Sequence, residues 1–169
     1  MMRRLFTALL LIGLIALGYW LWTVMFPKPE QIIRNRLNKL ARLASFSADE
    51  GNFKRVANVQ RLGRLFDENV QVVIETPGRM EQSINYTQRE ELMQAALAAK
   101  RFAKGLKAEF LDMNVSVAPD ETSATADLIL RAKVTGESDQ IVQELKFTLK
   151  KTNSDWLITR VETVKSLKP

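Results

Sequence analysis

The apolar residues of this chain follow three spacings in turn. Residues 5–26 run without a formal charge. Between residues 30 and 103 most apolar positions recur every three or four residues, and from 111 to 164 they alternate with polar ones. The first spacing predicts a membrane-spanning helix, the second surface helices with one buried stripe, and the third strands with one buried face.

Within the helical stretch, Ile33, Leu37, Leu40 and Ala44 form one stripe from Glu30 to about Ala44, with Ile32 and Leu43 beside it. Arg34 and Arg42 point away from that stripe and Arg36 lies near its edge. Ser47-Ala48-Asp49-Glu50 reads as a capping box. It opens a second helix carrying Phe53, Val56, Val59, Leu62, Gly63 and Phe66 on one side and ending near Asp67. Val70, Val72 and Ile74 alternate with Gln71, Val73 and Glu75, a strand signal. Pro77-Gly78 turns the chain toward a short strand at 83–86. Thr87-Gln88-Arg89-Glu90 is a second capping box, opening a helix through Leu92, Met93, Ala96, Leu97 and Ala99 to about Ala103, where Gly105 stops it.

The last third is strand pattern. Leu111, Met113, Val115 and Val117 alternate with Asp112, Asn114 and Ser116. After Pro119-Asp120, the series Ala124, Ala126, Leu128, Leu130, Ala132 and Val134 does the same, then Ile141, Leu145, Phe147 and Leu149, then residues 156–164. Four long strands joined by short turns predict an antiparallel meander with one buried face. The fold class is therefore α+β. Residues 1–29 form an anchor and residues 30–169 one domain, long enough to bury a core.

A helix over residues 5–26 rises about 33 Å, against a hydrocarbon core of about 30 Å. Arg3 and Arg4 precede it, Tyr19, Trp20 and Trp22 sit toward its end, and Pro27 and Pro29 close it. A cleaved signal peptide is the other reading, with Ala16-Leu17-Gly18 as small residues at a cleavage-like spacing. The bulky run Tyr19-Trp20-Leu21-Trp22 after that point favours the anchor. Arg3 and Arg4 favour a cytoplasmic amino terminus, whereas Lys28, Arg34, Arg36, Lys39 and Arg42 favour the opposite orientation. Long carboxy-terminal domains translocate largely regardless of charge. The expectation is a single-pass protein of the cytoplasmic membrane with its domain on the periplasmic side.

Charge sharpens this picture. Residues 28–64 hold nine basic and three acidic residues, whereas 67–169 hold fourteen basic and sixteen acidic. The excess lies next to the anchor, where Lys28, Arg34, Arg36, Lys39 and Arg42 either meet anionic headgroups or form a solvated helix face. No aromatic–basic platform or groove-reading motif points to nucleic acid. The absence of cysteine fits an extracytoplasmic domain and removes thiolate chemistry.

The order helix, helix, strand, short strand, helix, four long strands resembles the nuclear transport factor 2-like superfamily, which includes SnoaL-like polyketide cyclases and ketosteroid isomerases. The resemblance spans about residues 31–167. It is carried by that order, by Leu65-Phe66-Asp67-Glu68-Asn69-Val70 at the second helix exit, by the helix after Thr87 and by Asp155-Trp156-Leu157-Ile158. It implies a cystatin-like cone in which a curved, mainly antiparallel sheet wraps the helices, and relatives that pair through the sheet. The domain behind one anchor is also similar in architecture to the inner-membrane scaffold of VirB-type secretion systems.

There is no histidine and no cysteine, which excludes histidine-based acid–base work, Ser-His triads and the usual zinc ligands. Neither a metal nor a cofactor is implied. Carboxylate chemistry remains. Glu75 ends the alternating strand, and the resemblance to ketosteroid isomerases places a catalytic carboxylate near this part of the fold; otherwise it is a solvent-facing strand residue. Gln60 lies between Val56 and Gly63, at a polar pocket or at the wet edge of the stripe. Arg160 and Glu162 share a face of the last strand with Trp156 and Ile158, as a pocket pair or a surface ion pair. Tyr86 either donates to a bound oxygen or closes a loop. Two functions follow: a membrane-tethered binding or assembly module without catalysis, dimeric through its sheet around Ile129 and Val142 and open to protein partners; and a pocket isomerase or cyclase with Glu75 as base. The first is preferred, because a single carboxylate without a recognisable oxyanion donor is poor evidence for a site.

Overall fold

The structure is a computed structural model and describes residues 12–15, 17–18, 28–75 and 83–164. Most of the expected anchor therefore lies outside the described residues, as does the Pro77-Gly78 turn. Among the described residues no helix is long and apolar enough to cross a membrane. Ile12, Leu14, Ile15 and Leu17 are described, and all four are exposed.

Three helices and six strands follow: α1 (Pro29–Ala44), α2 (Asn52–Gly63), β1 (Phe66–Glu75), β2 (Ser83–Tyr86), α3 (Arg89–Phe102), β3 (Leu106–Val117), β4 (Ser123–Val134), β5 (Gln140–Thr152) and β6 (Asp155–Thr163). The strands make one curved mixed sheet in the order β2-β1-β6-β5-β4-β3. The expected meander is its larger part. β1 joins β6 in parallel and β2 in antiparallel fashion, so the sheet closes by a crossover. Asn153 and Ser154, at φ 48° and 72°, make the two-residue hairpin between β5 and β6.

The alternating residues specify which face the helices cover. Ala126, Leu128, Leu145, Phe147, Leu149, Trp156, Ile158 and Val161 are buried against Ile33, Leu37 and Leu40 of α1 and Leu62 of α2. Pro29 sits in the first turn of α1, where its missing N–H costs nothing. α1 lies along β3, α2 packs on α1 and α3, and α3 meets β1 and β2. Where α2 meets α3, Gly63 leaves room for the Met93 side chain, whose Sδ would have to shift if a Cβ stood there.

The structure corrects several sequence expectations. The Ser47 box does not cap α2, whose N-cap is Gly51 without a side-chain bond. The Glu50 carboxylate turns inward instead, as described below. The second box is displaced: Thr87 N–H donates to Glu91 Oε2 at 3.1 Å, and α3 starts at Arg89. The α2 stripe is buried only from Val59 onward; Phe53 and Val56 are exposed. β3 begins at Leu106, and a bulge between Leu111 and Asn114, with Asp112 at φ 49°, splits its alternation. Leu111 therefore pairs with Ile129 on the outer face, and Met113 does not share its side. A register shift between Thr148 and Leu149, opposite Arg160 and Ile158, does the same to β6. Trp156 and Ile158 face the core, while Arg160 and Glu162 face outward.

Candidate functional site

Of the residues singled out in the sequence, Glu75, Arg160 and Glu162 lie on the outer face of the neighbouring strands β1 and β6, Tyr86 on the inner face and Gln60 on α2. Glu75 ends β1 and is exposed. Its backbone is fixed: the N–H donates to Thr163 Oγ1 at 3.0 Å, and its carbonyl accepts from Gln143 Nε2. Gln60 is exposed on α2, on the side where the stripe has run out of cover. Tyr86 pairs with Val72 and is half-buried against the core. Arg160 and Glu162 form an ion pair of 2.8 Å on the outer face, where Arg160 Nη1 also donates to Gln71 Oε1 at 3.0 Å. The fold does not converge these five groups on one point.

The membrane-proximal basic residues divide. Arg34 Nη1 donates to the Met113 carbonyl at 2.6 Å, tying α1 to the bulge of β3. Arg36 donates to the Arg64 carbonyl at 3.2 Å and faces Asp155 at 3.7 Å; burial lowers its pKa and Asp155 opposes that shift. Lys28, Lys39 and Arg42 remain exposed. Arg42 borders a groove of about 580 Å³ between α1 and the edge strand β3, with Asn35, Asn38, Ala108 and Phe110.

Two polar clusters were missed by sequence reasoning. In the first, Gln143 is buried on the inner face and donates to the Glu75 carbonyl and, at 2.9 Å, to Thr163 Oγ1. Its signal was present: in Ile141, Gln143, Leu145, Phe147, Leu149 it is the one polar residue of an inward series. In the second, Glu50 and Lys100 form an ion pair of 3.6 Å with side chains 5% and 3% exposed. Asn58 Nδ2 donates to Glu50 Oε1 at 2.7 Å, Lys100 Nζ donates to the Leu43 carbonyl at 3.2 Å, and the ammonium stands 5.1 Å from the centre of the Phe46 ring. Burial lowers the Lys100 pKa and Glu50 opposes the shift. This cluster joins the loop after α1, α2 and the last turn of α3. No local pattern announces it, because Glu50 and Lys100 are 50 residues apart in sequence.

Among the described residues no helix covers the outer face of the sheet. Its centre is Leu111 and Ile129 in register, with Val142 next to Arg131. Around them stand Asp127 opposite Lys146, Lys146 opposite Glu162, and Glu109 held by Lys107 at 2.8 Å and Arg131 at 2.7 Å. The Lys107 and Arg131 hydrogen bonds pull the Glu109 pKa down to about 2. Ile129 lines a depression of about 330 Å³ with Asp112, Asn114 and Glu144. Among the described residues no group of three or more acidic side chains is arranged to hold a metal ion.

Solved structures share this arrangement. A nuclear transport factor 2-like protein of unknown function from Pseudomonas putida KT2440 superposes with a TM-score of 0.63 at 9% identity, over 82% of this chain and 87% of that chain. The fold is nuclear transport factor 2-like. A second protein so described, with a cystatin-like fold, from Novosphingobium aromaticivorans, gives a TM-score of 0.55 at 19% identity over 87% and 86%. A third from that organism, provisionally named a scytalone dehydratase, gives 0.57 at 15% over 81% and 83%. No protein-family model and no curated protein matches the sequence. At these identities the likeness establishes the fold and not the activity.

Proposed function

We propose that this chain is a membrane-anchored, non-catalytic binding or assembly module whose outer sheet face receives a second copy of itself or another protein of a membrane assembly. The observation that carries the reading is that Glu75, Gln60, Tyr86, Arg160 and Glu162 do not converge on one pocket, beside a sheet face that no helix among the described residues covers around Leu111, Ile129 and Val142. A catalytic constellation needs groups within about 3 Å of one reacting atom. An assembly surface needs an apolar centre with charged pairs around it, which is what Asp127, Arg131, Glu144 and Lys146 supply.

The anchor rests on the uncharged length of residues 5–26. The domain is assigned to the periplasmic side of the cytoplasmic membrane on the sequence argument. The alternative is a pocket enzyme of the ketosteroid isomerase or cyclase kind. It draws on the buried Gln143, which donates to Thr163 Oγ1 and to the Glu75 carbonyl.

Complementation of a deletion strain separates the two. At matched expression, Ile129→Lys loses function and Glu75→Gln keeps it if the module reading holds. The reverse pattern, with both proteins folded and membrane-inserted, makes Glu75 the working group and the pocket enzyme the answer.

A further inference from the structure

Phe53 and Phe102 are 89% and 88% exposed, the most exposed large apolar side chains among the described residues. Phe53 is the second residue of α2 and Phe102 the last of α3. The buried Glu50–Lys100 pair fixes them at one end of the domain, because Glu50 precedes α2 by two residues and Lys100 lies in the last turn of α3. Val56 adds an apolar side chain one turn along α2.

The charge around these rings is one-sided. From Gly51 to Leu65 and from Met93 to Lys107 the chain holds eight basic residues and no carboxylate. Lys100 is paired internally, and Arg55 donates to the Ala48 carbonyl at 2.9 Å. Lys54, Arg101 and Lys104 are exposed beside the two rings, and Asp49 is the nearest exposed carboxylate in sequence. The clefts along β3 and on the outer sheet face are lined by other residues.

We propose that this end of the α2–α3 pair is a second membrane contact, docking on an anionic lipid surface with Phe53 and Phe102 at headgroup depth and Lys54, Arg101 and Lys104 on the phosphates. Protruding aromatic rings beside cations suit a soft, negatively charged interface, whereas a rigid protein partner needs a cleft or a flat apolar area. The proposal rests on the membrane location proposed above. It adds a constraint on orientation. α1 starts at Pro29, directly after the expected anchor, and its 16 residues span about 24 Å. The rings belong to its far end, near Phe46 and Leu43. They reach the bilayer when α1 runs along the surface.

The chain has no cysteine, so single labels are clean. The full chain carrying Phe53→Cys, Phe102→Cys or, on the outer sheet face, Ser116→Cys is labelled with an environment-sensitive fluorophore. It is reconstituted in phosphatidylcholine vesicles with and without about a third phosphatidylserine. Lipid-borne nitroxide should quench the labels at 53 and 102, and not at 116, in the anionic vesicles only, and high salt should relieve the quenching. Lys54→Gln/Arg101→Gln/Lys104→Gln should weaken the contact roughly a hundredfold, at about fivefold per cation. Labels at 53 and 102 that stay in water on anionic vesicles overturn the proposal, including the case in which they become shielded only when an acidic protein is added. Carbonate extraction of the same samples reads the anchor separately. Retained chains with unquenched labels keep the anchor and reject the contact; quenched labels on extractable chains do the opposite.

Discussion

Removing Lys100 should destabilise the domain far more than removing the pair. In Lys100→Met, Glu50 stays inside the fold at 5% side-chain exposure with Asn58 as its hydrogen-bond donor. Its Oε2 accepts no hydrogen bond even in the native protein and relies on the ammonium 3.6 Å away. An unpaired buried charge of this kind costs about 3–5 kcal/mol. Glu50→Gln costs less, about 1–3 kcal/mol, because Lys100 keeps the Leu43 carbonyl and the Phe46 ring. The double variant removes both charges and should return to within about 1 kcal/mol of the native protein. Urea unfolding of residues 28–169, followed by the fluorescence of Trp156, the single tryptophan of that fragment and 1% exposed, closes the cycle. Additive single effects, or a Lys100→Met midpoint equal to the native one, would refute the reasoning. The pH dependence adds a check. Burial holds the Lys100 pKa below its ordinary 10.5, so between the two values the unfolded chain binds more protons. Stability should rise across that window as pH climbs from the folded value toward 10.5, and Lys100→Met should abolish the rise.

Leu145→Ala and Phe147→Ala, each removing a side chain 2% exposed, should each cost about 2–5 kcal/mol in the same assay; near-zero effects from both would reverse the face assignment. Glu109 should titrate near pH 2 by carboxyl NMR, its contribution complete above the ordinary carboxylate range and lost as pH falls through that value. Its midpoint should move upward in Arg131→Gln.

Most of the fold was legible because burial imposes a period. Leu128, Leu145, Phe147 and Leu149 are where strict alternation places them, and Ile33, Leu37 and Leu40 where helical spacing does. The misreadings share one cause: a local pattern was extended past the point where tertiary structure interrupts it. The bulge at Asp112 reverses the side of Leu111, and the shift after Ile158 sends Arg160 outward. The spacing of three between Ile158 and Val161 carried that second signal. The Ser47 box failed because Glu50 gains more from Lys100 and Asn58 than from its own helix start. The α2 stripe was read through Phe53, where no neighbour covers it. Gln143 was visible as a polar break in an inward series; Lys100 was not, because the identity of a buried cation's partner is a three-dimensional fact.

The proposed working surface is the outer sheet face around Ile129. A photoreactive amino acid at Ile129 in the full chain, activated in native membranes, tests it most directly. The expected result is a crosslinked species, to a second copy or to one membrane-assembly partner, that disappears when Arg131 and Lys146 on the same face are reversed in charge. An Ile129 probe that crosslinks to nothing in membranes where the protein is functional would contradict it.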